Sequence, residues 1–148
     1  MNVEAAIKTT KEIPLKKRTL IHLSLINNKI NEQMMAALKP FDISLPQFNV
    51  LRILRGQQGK PANLQTINER MVTKMSNTTR LVDKLMGKGW VQKEICRHNR
   101  RKVEISITRS GLEELEKIDG IILALEDKVV GNFKASELQE LNELLNKF

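Results

Sequence analysis

The stretch "VQKEICRHNRRKVEISIT", residues 91–108, decides the fold of this chain. Before it, apolar residues recur every three or four positions; here the period drops to two. Val91 and Ile95 alternate with Gln92 and Glu94, and Val103, Ile105 and Ile107 alternate with Glu104, Ser106 and Thr108. Alternation of this kind marks half-buried strands. The segment "CRHNRRK" (96–102) between them has no glycine or proline, and it sets Arg100, Arg101 and Lys102 in a row at the tip of a two-stranded hairpin. Three adjacent cations at a tip need a reason.

On the N-terminal side, "GKG" (87–89) ends a helix that starts at Thr73. Met75, Thr78, Leu81, Val82 and Leu85 fall on one of its sides; Thr73, Ser76, Asn77, Arg80 and Lys84 fall roughly opposite. "ANLQTINERM" (62–71) is a short helix capped by Asn63, with Leu64, Ile67 and Met71 inward, and "QQGKP" (57–61) is the turn before it. "SLPQ" (44–47) opens another helix. Ser44 caps it, Pro46 suits the first turn and Gln47 completes a capping box. Phe48, Leu51 and Leu54 form its stripe and Gly56 its stop.

The outer segments are helical too. Leu23, Ile26, Ile30, Met34 and Leu38 recur at helical spacing over 15–38, and Leu20, Ile21, Leu25 and Met35 widen the stripe to two packing faces. Thr108 caps a helix over 109–130 carrying Leu112, Leu115, Ile118, Ile122, Leu125 and Val129. "GNFKAS" (131–136) breaks it, and Ser136 with Gln139 makes a capping-box pattern for a last helix lined by Leu138, Leu141, Leu144 and Leu145. Residues 1–14 read as a loose arm. With no repeat, low-complexity stretch or linker, residues 1–148 are expected to form one domain.

Charge is unevenly spread. The 148 residues carry a formal +8. Residues 70–110 hold eleven Lys and Arg against three Asp and Glu, whereas residues 111–148 hold four against nine. A basic middle beside an acidic end suggests one face for a polyanion and another with a separate duty. Cys96 is the only cysteine, so no internal disulfide forms. That suits a reducing cytosol. The longest apolar run, "IILAL" (121–125), is far short of the ~20 residues that span a bilayer, and no signal-peptide core is present. The chain is expected in the cytoplasm, with no membrane partner.

The order helix, helix, short helix, turn, helix, strand, basic turn, strand, long helix, short helix is mainly α with a small antiparallel β-hairpin. It is a winged helix-turn-helix. In a helix-turn-helix the second helix enters the major groove and its N-terminal side chains meet base edges. Thr73, Lys74, Ser76, Asn77, Arg80 and Lys84 have the chemistry for that place: Arg donates twice to guanine and Asn pairs with adenine. A hairpin beside that helix reaches the minor groove or the phosphates, which explains Arg97, Arg100, Arg101 and Lys102.

Residues 44–111 resemble the MarR family of bacterial transcription regulators. The resemblance rests on "SLPQFNVLRIL" (44–54), "MSNTTRLVDKLMGKGWV" (75–91) and "NRRKVEISITRSG" (99–111), and the outer helices extend it to about 15–147. It implies a homodimer in which 15–38 and 109–147 are dimerisation helices around a winged-helix DNA-binding lobe (44–108). A small-molecule effector would sit in a cleft between dimer helices and lobe, for which His22, Met34, Met35 and Phe48 are the candidates. The resemblance makes the groove-reading helix about 74–87 and Arg101 the wing arginine, with Arg100 beside it. Where the family commonly has an Asp that braces the arginine, this chain has Asn99, which offers only a neutral hydrogen bond.

Other readings are weaker. Arg97 and His98 could lower the pKa of Cys96, but with no second cysteine it reads as a small strand residue. His22 and His98 with Cys96 give three ligands at unrelated spacings, short of a zinc set. Trp90 reads as packing. No phosphate loop, nucleophile elbow or paired carboxylates appear, so neither an enzyme nor a cofactor is expected. The sequence therefore points to a homodimeric repressor of double-stranded DNA, released from a near-palindromic operator by a small molecule. The alternative is a winged helix used for protein–protein assembly without specific DNA binding.

Overall fold

The computed structural model describes residues 1–74, 77–95 and 103–148. Its helices are α1 (Val3–Ala6), α2 (Leu15–Leu38), α3 (Leu45–Arg55), α4 (Leu64–Arg70), α5 (Thr78–Gly87), α6 (Arg109–Val130) and α7 (Ala135–Leu145). Strands β1 (Val91–Ile95) and β2 (Val103–Ile107) lie between α5 and α6, and a 3-10 turn (Lys39–Phe41) links α2 to α3.

Local chemistry accounts for most boundaries. Ser44 accepts from the Gln47 N–H while Gln47 Oε1 accepts from the Ser44 N–H at 2.9 Å, a reciprocal box at the start of α3. Asn63 caps α4 through the Thr66 N–H at 2.8 Å. Helix α5 ends in a Schellman motif. Gly89, at φ +72°, donates to the Met86 carbonyl and Trp90 donates to the Leu85 carbonyl. Thr108 then ties three elements together. Its Oγ1 accepts from the Gly111 N–H at 3.0 Å, donates to the Gly89 carbonyl at 2.7 Å, and its N–H donates to the Trp90 carbonyl. A Cβ on Gly111 would come within 2.1 Å of the Trp90 oxygen, so glycine permits that approach.

The hairpin pairs Val91 with Ile107 and Ile95 with Val103, antiparallel. Ala62 adds a bridge outside β2, exchanging both backbone hydrogen bonds with Ile105. One core joins these parts. Leu38, Phe48, Leu51, Ile67, Val82, Leu85, Val91, Ile105, Leu115 and Ile118 pack in a single buried cluster, with Trp90 against it. Ile105 is the centre of β2, so the hairpin base is clamped from both sides.

Four expectations need correction. The arm is not loose: Val3 is fully buried, and Glu4 takes two hydrogen bonds from Arg18, at 2.7 and 3.2 Å. The helix expected from Thr73 starts, as described, at Thr78, with Thr73 in a bend and Asn77 at the cap. Several cap-forming residues in succession compete for that start, and the β-branched Thr78 and Thr79 are poor early helix formers. The last helix begins at Ala135 rather than after Ser136; Glu137 reaches back to the Lys134 N–H at 2.7 Å. Ile95, expected to face inward, is 67% exposed, because the hairpin has left the core by then.

Candidate nucleic-acid interface

Helices α4 and α5, with the turn between them, form the helix-turn-helix. Thr78, Leu81, Val82 and Leu85 sink one face of α5 into the core, and Thr78 Oγ1 bonds Asn68 Oδ1 on α4 at 3.4 Å. The opposite face shows Asn77, Thr79, Arg80, Asp83 and Lys84 to solvent. Arg80 and Lys84 make no ion pair among the described residues. Asp83, the one acid on that face, lies 3.8 Å from Lys93 of β1, which offsets its charge and ties hairpin to helix.

Lys88, just past α5, is held more firmly. Its ammonium donates to Asp42 Oδ2 at 2.9 Å and to the Phe41 carbonyl at 3.3 Å, and it lies 5.3 Å from the Trp90 ring centre. The Lys88 hydrogen bond, then its charge and that of Lys84, hold the Asp42 carboxyl below the usual carboxylate range. The end of the presented helix is therefore fastened to the turn joining α2 and α3. On the other side, Arg55 of α3 bonds Asp119 of α6. That pair fastens α3, on which the helix-turn-helix packs, to α6.

The outward positions expected from sequence are partly found together. Asn77, Arg80 and Lys84 share one exposed surface, and Thr73 and Lys74 are exposed in the segment before α5. Ser76, Arg97, Arg100, Arg101 and Lys102 lie outside the described residues, as do Met75, Cys96, His98 and Asn99. Sequence reasoning missed Thr79, which follows the inward Thr78 and is exposed. A helix start moved to Thr78 would have found it. It also missed Arg70 and Val72, both exposed at the edge of the turn.

The four cleft candidates are not brought together. An open groove of about 1130 Å³ runs between the end of α2, the start of α3 and α5, lined by Met35, Lys39, Ile43, Pro46, Thr73 and Lys84. Met35 lines it. Met34, one residue earlier and therefore somewhat more than a quarter-turn round the helix, packs against the core instead. Phe48 is in the core with no exposed surface, and His22 lies close enough to Glu4 to act on its charge. Among the described residues no cluster of three His, Cys, Asp or Glu stands ready for a metal, and no helix is long and apolar enough to cross a membrane.

Comparison with known proteins agrees with this architecture. The MarR family model matches residues 43–103. The multiple antibiotic resistance protein MarR of Escherichia coli is 29% identical over 137 residues, spanning 91% of this chain and 90% of its own. A mutant of that protein solved in complex with operator DNA superposes with a TM-score of 0.75 at 26% identity, covering 99% of this chain and 98% of the other. The transcriptional repressor IacR of Pseudomonas putida is 23% identical over 123 residues, 83% of this chain and 72% of its own. The organohalide-sensing regulator RdhR, in its 2,4-dichlorophenol-bound form, shares the fold at a TM-score of 0.81 and 17% identity, covering 91% of this chain and 79% of the other.

Proposed function

Because the chain belongs to the MarR family of transcription regulators, we propose that it binds a near-palindromic DNA operator as a homodimer and represses transcription until a small molecule releases it. It is a regulator and not an enzyme. The observation that carries the reading is α5. Its inner face is anchored by Leu81, Val82 and Leu85, and its outer face offers Asn77, Thr79, Arg80 and Lys84, with no ion pair for either cation among the described residues. Side chains of these types at the start of a second helix read base edges in the major groove. The basic segment 96–102 extends the contact to the neighbouring backbone or minor groove.

Support for pairing comes from α7. It has no buried residue, and Leu141, Leu144 and Leu145 are exposed on it. A helix of 11 residues with nothing packed on its leucines is marginal in water. A second copy packing on α2, α6 and α7 would cover it and set two α5 helices about one DNA turn apart, roughly 34–36 Å. The groove beside Met35 and Lys84 is the place for an effector, since a ligand there touches α2 and α5 together and can favour one spacing over another. Such a protein works at the chromosome, in the cytoplasm.

Gel shift against the DNA upstream of its own coding region, with excess nonspecific competitor, tests the reading. A retained band supports it. A band that competitor removes leaves only nonspecific attraction and overturns it.

A further inference from the structure

Val72 is 90% exposed. In the stretch 43–107 only Met86 and Ile95 are other large apolar side chains exposed among the described residues, and neither is as bare. Val72 does not lie on α2, α6 or α7, where a second copy would pack; it lies in the turn between α4 and α5. Its outward aim is fixed by its neighbour. Met71 is buried, has extended backbone (φ −66°, ψ 134°) and donates its N–H to the Ile67 carbonyl at 3.2 Å. The side chain after an extended, inward residue leaves on the opposite side. Its neighbours in the chain, Arg70, Thr73 and Lys74, are all exposed. A β-branched aliphatic group is thus open to water in a polar and cationic stretch of chain, just before the helix that presents Asn77, Thr79 and Arg80.

Polar and cationic neighbours suit phosphates and base edges. A rigid aliphatic group among them suits the one apolar feature that the major groove offers, the C5-methyl of thymine. We propose that Val72 is a specificity-determining residue that packs its isopropyl group on the methyl of one thymine in each half-site. The proposal rests on the DNA-binding reading and adds a base preference to it. Val rather than Ser or Thr at this position favours thymine over cytosine, which presents no methyl there, and it does so without a hydrogen bond.

The test replaces the thymines of a bound operator singly by deoxyuridine, which deletes the methyl and keeps the hydrogen-bonding edge. For the wild type, one position per half-site should weaken binding about fourfold, the worth of one methyl taken out of water. Val72→Ser, harmless to the fold at so exposed a site, should bind the thymine operator weaker by at least that factor and become indifferent to deoxyuridine at that position. A wild type insensitive to every replacement overturns the assignment. So does a Val72→Ser protein that keeps the same sensitivity, or one that loses affinity equally for all sequences, as a contact to sugar and phosphate would. These outcomes leave operator binding intact. A wild type that retains no operator under competitor overturns the DNA-binding reading and this assignment with it.

Discussion

The lobe from Ile43 to Ile107 and the helices around it solve opposite problems. In the lobe, α3, α4, α5 and both strands each send residues to one core, and Phe48, Leu51, Ile67, Val82, Leu85 and Ile105 are sealed in it. What it leaves outside is mostly polar and cationic. Apart from the inner face of α6 (Leu115, Ile118, Ile122), the outer helices do the reverse. The 24 residues of α2 bury only Leu38, α7 buries none, and Leu15, Leu20, Ile26, Ile121, Leu123, Phe133, Leu141, Leu144 and Leu145 face water. Exposed apolar side chains in that number are what the proposed second copy would cover. One region presents charge to water; the other presents apolar side chains. The difference separates a core closed within one chain, to which α2 and α6 also give Leu38, Leu115, Ile118 and Ile122, from apolar faces that the chain leaves open.

The comparison breaks most visibly at α7. Leu141→Lys with Leu145→Lys should turn a dimer into a monomer by sedimentation at micromolar concentration. Tight operator binding should fall by about a hundredfold or more, as expected when two linked half-site contacts become one. The far-ultraviolet spectrum of the lobe should persist. Ile122 is unsuitable for this purpose, since it is buried in the shared core and its replacement would unfold the lobe. A wild type that sediments as a monomer would remove the contrast altogether.

Phe48→Ala attacks the other side. Phe48 has no exposed surface and sits where α3 meets α6, so its loss should cost about 3–5 kcal/mol of stability, read as a lower urea midpoint. A cost below about 1 kcal/mol, the size of a substitution outside the core, would mean that the core joining α3 to α6 is not what holds the lobe together. Smaller again is Arg80→Ala, about 1–3 kcal/mol of operator affinity concentrated at particular base pairs. Lys102→Ala should instead weaken all sequences alike and lower the salt slope by about one unit. A uniform loss for Arg80→Ala would reduce that residue to a phosphate contact.

Sequence showed the closed region better than the open one, for a physical reason. The Ser44–Gln47 box, the Asn63 cap and the Thr108 cap act over three residues, so local spelling reveals them. Periodicity likewise found the inward faces of α3 and α5. It could not say how far a face stays covered: Ile95 keeps the period of its strand and is exposed, because coverage depends on what lies opposite. Nor could it choose among successive caps at Ser76, Asn77 and Thr78, or foresee the Ala62–Ile105 bridge, a single pairing between distant residues. Of the cleft set His22, Met34, Met35 and Phe48, Met35 lines the groove while the neighbouring Met34 packs on the core, because one residue's offset on a helix turns a side chain from groove to core.

The smallest expected effect sharpens the boundary between the regions. The N-terminal arm closes part of the open side from within the same chain, by burying Val3 and pairing Glu4 with Arg18. The hydrogen bond from Arg18 is the largest influence on Glu4 and, with the nearby positive charge, holds its carboxyl below the usual carboxylate range. A carboxyl depressed on folding contributes stability that is present above its unfolded pKa and lost as pH falls through the folded one. Docking should therefore persist as pH drops to about 4.3, the ordinary Glu value, and fade only below it. Glu4→Gln should release the arm at every pH, seen as faster amide exchange at Ala6 and Ile7, whose N–H groups bond Asn2 and Val3. The lobe's exchange should not change, since the arm lies outside its core cluster. Slow exchange in the arm that survives both Glu4→Gln and acid would assign its docking to Val3 rather than to the ion pair.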